Sequence, residues 1–198
     1  MKSYNRVMAG QKSVHASRCF DQGFIGVDYG FNLDLSGRFP ENWKDFNREF
    51  VPIYLDRHPG KSKIAAGLAC GFTWTLCKGL KEGDLVITPD GSGRYRPGEI
   101  AGPYQYAPGQ PLPHRRPVRW FAESFERTAM SEPLQRSTNS TGTCCDVTRY
   151  AAELEQLIGR PVVPSLIASD PGVEDTAIFA LEKHLEDFLV SNWAATDL

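Results

Sequence analysis

The 198-residue chain is 41% hydrophobic and 23% charged, the balance of a soluble globular protein with length for one sizeable core. No apolar run approaches a membrane span, and Met1-Lys2-Ser3 leads into strand-like sequence without an apolar leader, so a cytoplasmic location is expected. The net charge of −2 hides an asymmetry: residues 1–120 carry 17 Lys and Arg against 11 Asp and Glu, whereas residues 121–198 carry 5 against 13. A basic first part points toward a polyanionic partner.

Tyr4 to Ala9 alternates as a first strand, and a helical turn follows around Val14 to Phe20. Phe24 to Tyr29 reads as a second strand. Trp43, Phe46, Phe50 and Ile53 recur at spacings of three and four, which predicts an amphipathic helix over 41–54, interrupted or restarted at Pro52. A second helix is expected over 61–80, with Ile64, Leu68, Thr75 and Leu76 inward and Gly67 and Gly71 allowing close packing. The stretch GDLVITPDGSGRYRPGEI then reads as a hairpin, with Pro89 to Gly93 as its turn. Alternation sends Arg94 and Arg96 to one face of the return strand, as a positive flank.

A strand is expected over 117–121, with Trp43 and Trp120 in the core. Residues 134–145 are rich in Ser and Thr and read as a loop. Asp146 is expected to cap a helix running through Ile158, stopped by Gly159 and Pro161. Residues 160–173 carry three prolines and look like a linker. Ile178, Leu181, Leu185, Phe188 and Leu189 form one stripe of a terminal helix over 174–193, taken as the first element of a further domain. Strands and helices without regular alternation predict an α+β fold: a small mixed barrel decorated with helices.

No catalytic motif stands out. The chain lacks GxSxG, a Walker loop, HExxH and a dinucleotide fingerprint. Its four histidines have no metal-ligand spacing, and no cofactor is implied. Glu182-Lys183 lies on the expected terminal helix and lacks the intervening residue of a nuclease acid-x-Lys pair. Cys19, Cys70, Cys77, Cys144 and Cys145 read as structural thiols. Binding features are stronger. Tyr29 ends an apolar strand between Asp28 and Gly30, where a ring can face a cavity mouth. Tyr104 and Tyr106 share one face of a short segment, and Trp74 adds another ring. Lys61, Lys63, Arg94, Arg96 and the cluster His114-Arg115-Arg116 lie among these aromatics, a mixture suited to phosphate and base.

The runs RVMAG, FIGVDYG and GDLVITPDGSGRYRPGEIAGPYQYAP, followed by LPHRRPVRWF, resemble the EVE-like modules of the PUA superfamily. Such modules stand at the N-terminus of modification-dependent restriction endonucleases. The resemblance covers residues 4–160, and FALEKHLEDFLVSNW resembles the first helix of an Mrr/NucS-like nuclease domain, so residues 161–198 would be linker and the start of that domain. It implies a small β-barrel whose pocket takes a methylated or hydroxymethylated base flipped out of double-stranded DNA. The implied pocket residues are Met8, Ala9, Gly10, Asp28, Tyr29, Trp74, Asp90 and Ser92, with Tyr29 standing where many members carry Trp. Lys61, Lys63, Arg94, Arg96, His114, Arg115 and Arg116 would hold the DNA backbone. The nuclease activity would belong to the following domain and not to this chain. Two other readings stay open: a modified-RNA module, and an interaction domain whose aromatics are core.

Overall fold

The computed structural model describes residues 2–159; the expected linker and terminal helix at 161–198 lie outside the described residues. The fold is α+β, a curled half-barrel sheet with several helices, compatible with a small helix-decorated barrel. In chain order the strands are β1 (Tyr4–Val7), β2 (Phe24–Val27), β3 (Leu85–Pro89), β4 (Arg94–Ile100), β5 (Gln105–Tyr106), β6 (His114–Trp120), β7 (Phe125–Glu126) and β8 (Cys144–Asp146). They run in the order β2-β6-β4-β3-β1-β8, with β5 on β6 and β7 on β4. Among the described residues only β1 and β3 pair in parallel; the other pairs are antiparallel.

Strand alternation divides the sheet into two apolar faces. Val7, Val86, Ile100 and Val118 join Ile25, Val27 and Leu76 in one cluster. Tyr4, Leu85, Ile87 and Tyr95 turn the other way and meet Phe125, Leu134 and Leu154. Both faces are therefore covered, which is why β1 and β2 are buried along their whole length.

Helix α1 (Ala16–Gln22) precedes β2 and ends on Gly23 in the left-handed conformation. Helix α2 (Trp43–Arg57) starts where the Asn42 side chain accepts the Asp45 amide. It runs unbroken through Pro52, contrary to the expected restart. Burial of Phe46, Phe50 and Tyr54 against α3 (Lys63–Trp74) offsets the lost hydrogen bond. Of the residues expected inward, Leu76 is buried in the turn that follows α3, but Ile64 and Leu68 on the helix itself are not. The buried face of α3 is Ala66, Ala69, Cys70 and Thr73, while Ile64 and Leu68 are 77% and 55% exposed. Small side chains let α3 approach the stacked rings of Phe46 and Phe50, which supply the bulk from α2. A π turn over Thr75–Gly79 ends the helix and buries Leu76 and Cys77.

The Ser/Thr-rich segment is not a loop throughout. Helix α4 (Glu132–Thr138) starts at Ser131, whose hydroxyl accepts the Leu134 amide, and β8 follows. Asp146 accepts the Thr148 amide, but α5 (Ala151–Leu157) begins only after the intervening 3₁₀ turn. Trp43 is 48% exposed and is not core, whereas Trp120 packs edge-on against Phe20 and donates to the Cys19 carbonyl. No disulfide joins the cysteines; burial pushes the thiols of Cys19, Cys70 and Cys144 up to about 12, so they stay neutral as packing groups. No helix among the described residues is long and apolar enough to cross a membrane.

A polar chain fastens the loop after β2 to the sheet. Fully buried His114 donates from Nε2 to the Phe31 carbonyl at 2.7 Å, leaving Nδ1 to accept from the Tyr104 hydroxyl at 2.9 Å. That hydroxyl in turn accepts the Leu35 amide. Burial holds the His114 pKa below its ordinary value of 6.5. The folded protein therefore disfavours the imidazolium, while the unfolded chain accepts the proton. The stabilisation is complete above pH about 6.5 and is lost as pH falls toward the depressed folded value. Thermal unfolding across this window should show stability falling on acidification, and His114→Gln should flatten that acid dependence.

Candidate functional site

The half-barrel leaves a seam, since no backbone pairing among the described residues joins β2 to β8. Tyr29, just after β2, and Thr143, just before β8, bridge it through hydroxyls 2.5 Å apart. Beside this bridge lies a cavity of about 320 Å³, at the lower end for small-ligand sites. Its walls come from the ends of β1 and β2, the turn at Gly10–Lys12, Leu112 and residues 141–143.

Each wall has a local cause. Gly26 sits where an added Cβ would lie 3.0 Å from both Leu112 and the His114 carbonyl, so the strand presents bare backbone to the cavity. Gly10 has φ +76°, and a Cβ there would fall 2.7 Å from the His15 ring. Lys12, Ser13 and Leu112 are the non-glycine residues with positive φ among those described. Lys12 and Leu112 line the cavity, and Ser13 lines the neighbouring hollow that shares Lys12. Such backbone costs about 1–3 kcal/mol per residue and gathers at ligand clamps. Among the described residues it is gathered around this cavity and the hollow that adjoins it.

The back wall depends on Arg6. This side chain is 0% exposed, and its guanidinium donates to the carbonyls of Ser140 at 2.5 Å, Gly142 at 2.7 Å and Thr143 at 3.3 Å. The loop carrying Thr141 to Thr143 is thereby pinned to β1. Tyr29 is half-buried, and burial raises its phenol pKa, so the hydroxyl stays protonated. Asp28 is exposed, with one carboxylate oxygen on the Gly30 amide. The cavity thus joins an apolar body from Met8, Val27, Leu112 and the Tyr29 ring to a rim bearing the acceptor Asp28 and the cation Lys12.

Of the pocket residues expected from the sequence, Met8, Gly10, Asp28 and Tyr29 meet at this cavity. Ala9 is buried beside α1 instead. Trp74 packs in the α2–α3 cluster and donates to the Pro40 carbonyl. Asp90 and Ser92 bond to each other at the hairpin tip. The tip does not line the cavity, but Gly91 approaches the Lys12 carbonyl and a more open hollow of about 360 Å³ sharing Met8 and Lys12 lies beside them.

The expected backbone-binding cations divide sharply. His114 and Arg116 point inward, because β6 begins at residue 114 and alternation buries 114, 116 and 118 together. Arg116 donates to the carbonyls of Gly102, Cys77 and Leu80. Arg115 faces outward but lies over the Phe24 ring at 4.0 Å and donates to the Leu112 and Pro111 carbonyls. Arg94 clasps Ser124 and pairs with Glu126, so the positive flank of the hairpin anchors β7. Arg96 covers Phe20 at 5.1 Å. Lys61 and Lys63 are exposed and remain on the surface. The rings of Tyr104 and Tyr106 both rest on His114.

Sequence reasoning missed Gln11, Lys12, Leu112 and Thr141 to Thr143. The only hint for the last three is a small-residue run, which reads equally well as loop. No group of three or more His, Cys, Asp or Glu side chains among the described residues is placed to hold a metal ion.

Arg6→Met tests the wall. Losing three charge-assisted bonds while leaving their carbonyls unpaired should cost about 2–4 kcal/mol, lowering Tm by roughly 5–15 °C for a chain of this size. Calorimetry measures the loss, and amide hydrogen exchange at residues 140–143 should report a loosened loop.

A search of curated proteins finds no significant match to this chain. A family profile does match, over residues 5–147, a span that begins one residue into β1, ends just after β8 and takes in every wall of the cavity. The chain accordingly belongs to the family described as a domain of unknown function, DUF8426.

Proposed function

We propose that residues 4–160 form a recognition module for a modified base, methylated or hydroxymethylated, in double-stranded DNA. The flipped base would enter the cavity at the seam and stack against Tyr29, with Asp28 accepting from its edge and Lys12 meeting a flanking phosphate. One observation carries this reading: Met8 and Gly10 from one strand end, and Asp28 and Tyr29 from another, converge on a single cavity edged by strained backbone. The expectation drawn from the EVE-like resemblance named these same residues. The module targets a nuclease domain that follows it, does not itself cut DNA, and works in the cytoplasm.

A second reading has its own support. Arg94, Arg115, Arg116 and His114 are all engaged within the fold, which shortens the cationic track expected for a duplex. A free small molecule with a planar apolar body fits the same cavity.

Fluorescence anisotropy with matched duplexes, modified and plain, tests the first reading, with modified RNA and free nucleosides as further arms. The modified duplex should bind more tightly, and Tyr29→Ala should remove about 1–3 kcal/mol of that preference, roughly five- to 150-fold. Tyr29→Phe keeps the ring and should keep most of the preference. Equal affinity for both duplexes would sink the proposal, and nucleoside binding without duplex binding would establish the second reading. Protein-dependent cleavage of modified plasmid in magnesium would show that the chain is itself a nuclease.

A further inference from the structure

Away from the seam, a more open cavity of about 680 Å³ is lined by Ser36, Gly37 and Phe39, the π turn after α3, Lys81, Glu82, Tyr104 and Arg116. Arg116 is 4% exposed, yet its guanidinium ends on carbonyl oxygens and forms no ion pair among the described residues. Its Nε and Nη1 are used; Nη2 bonds to no described residue. The nearest carboxylates act only from a distance. Asp84 is occupied by the backbone amides of Ser3 and Lys81, and Glu82 lies on the cavity rim. Two further cations face the same space: Lys78, tethered to the 89% exposed Glu41 at 3.0 Å, and Lys81, which reaches only the Lys78 carbonyl at 3.5 Å.

A buried guanidinium without a counter-ion is costly unless something supplies the missing charge. Carbonyl dipoles supply part of it, and the unused Nη2 is a donor held rigidly by the three bonds of the same group. Rigid placement removes the entropy cost that surface arginines meet on binding. Lys78 and Lys81 add mobile charge at the mouth, where Glu41 is a weakly held surface partner that a better anion can displace. We propose that this cavity is a phosphate-binding site, in which Arg116 Nη2 is the fixed donor and Lys78 and Lys81 close over the anion. The chemistry suits inorganic phosphate or a phosphomonoester. Glu82 opposes it and sets a modest affinity. This site shares no lining residue with the cavity at the seam, so it stands or falls independently of base recognition.

Thermal unfolding of the whole chain, titrated with sodium phosphate against sodium chloride at constant ionic strength, is the test. Phosphate should raise Tm, the rise becoming linear in the logarithm of its concentration above Kd, because it binds only the folded state. The double variant Lys78→Gln, Lys81→Gln removes two surface charges and should fold as the parent does, with its apparent Kd for phosphate weakened about tenfold or more. Arg116→Lys keeps the charge without the fork and should weaken binding comparably; should it fail to fold, the lysine double variant decides alone. A parallel titration with a nucleoside monophosphate separates the sources. Equal affinity assigns the site to phosphate itself, and tighter binding assigns it to a phosphomonoester. Identical curves in phosphate and chloride, or an undiminished response in the double variant, would overturn the proposal.

Discussion

Burying the Arg6 guanidinium inside the first strand is the constraint from which the cavity at the seam follows. A charged group held away from water must be met by dipoles or counter-charges, and here three carbonyls of one loop meet it. The loop lies some 135 positions further along the chain, so the interaction joins the first strand to the approach to its sheet neighbour β8. Satisfying Arg6 fixes the course of residues 140–143, which sets Thr143 opposite Tyr29 and leaves a bounded gap between β2 and β8. A sheet closed by continuous backbone pairing would have no gap. The half-barrel keeps one, sealed on one side by side-chain hydroxyls and edged by residues in sparsely populated backbone conformations.

Arg116 repeats the device at a second place. Like Arg6 it ends on three carbonyls, and it too sits on a strand whose neighbours are apolar. Together with Arg94, which braces β7, these groups explain how a chain with a surplus of positive charge in its first 120 residues presents few free cations near the seam. Much of that charge does structural work by gathering orphan carbonyls at turns and loop ends, where regular pairing runs out. Lys12, Lys61 and Lys63 remain exposed. The two clamps differ in setting: Arg6 sits within the protein, with its Nε unpartnered among the described residues, while Arg116 borders open space.

Local patterns were legible wherever one periodicity decided the outcome. The alternation around Leu85 to Ile100 reads as a hairpin and is one, because a two-residue period has only two possible faces and apolar residues occupied both. Phe46 and Phe50 likewise mark the buried face of α2. In α3 the same reasoning picks the wrong face. Choosing the bulkiest residues as core assumes that each helix fills its own space, whereas α3 packs its small residues against rings supplied by α2. The segment HRRPVRW fails for a related reason. Read as a polar run before a strand it looks like surface, but the strand begins at its first residue and alternation carries His114 and Arg116 inside.

By itself, the sequence determined the α+β class, the hairpin, the helix at α2, the thiols as packing groups and four residues at the ends of the first two strands. Each rests on chemistry within a few positions: period, capping, turn residues, an aromatic ending an apolar run. Which of those residues share a cavity, and which cations are free, was decided by tertiary structure alone. Met8 and Tyr29 meet because the sheet curls until its two ends approach. Thr143 completes the site because a buried charge on β1 needed carbonyl partners. The fate of an arginine cannot be read from its neighbours in sequence, since its long side chain can as readily satisfy distant carbonyls as face water, and only the packed chain shows where unpaired carbonyls remain.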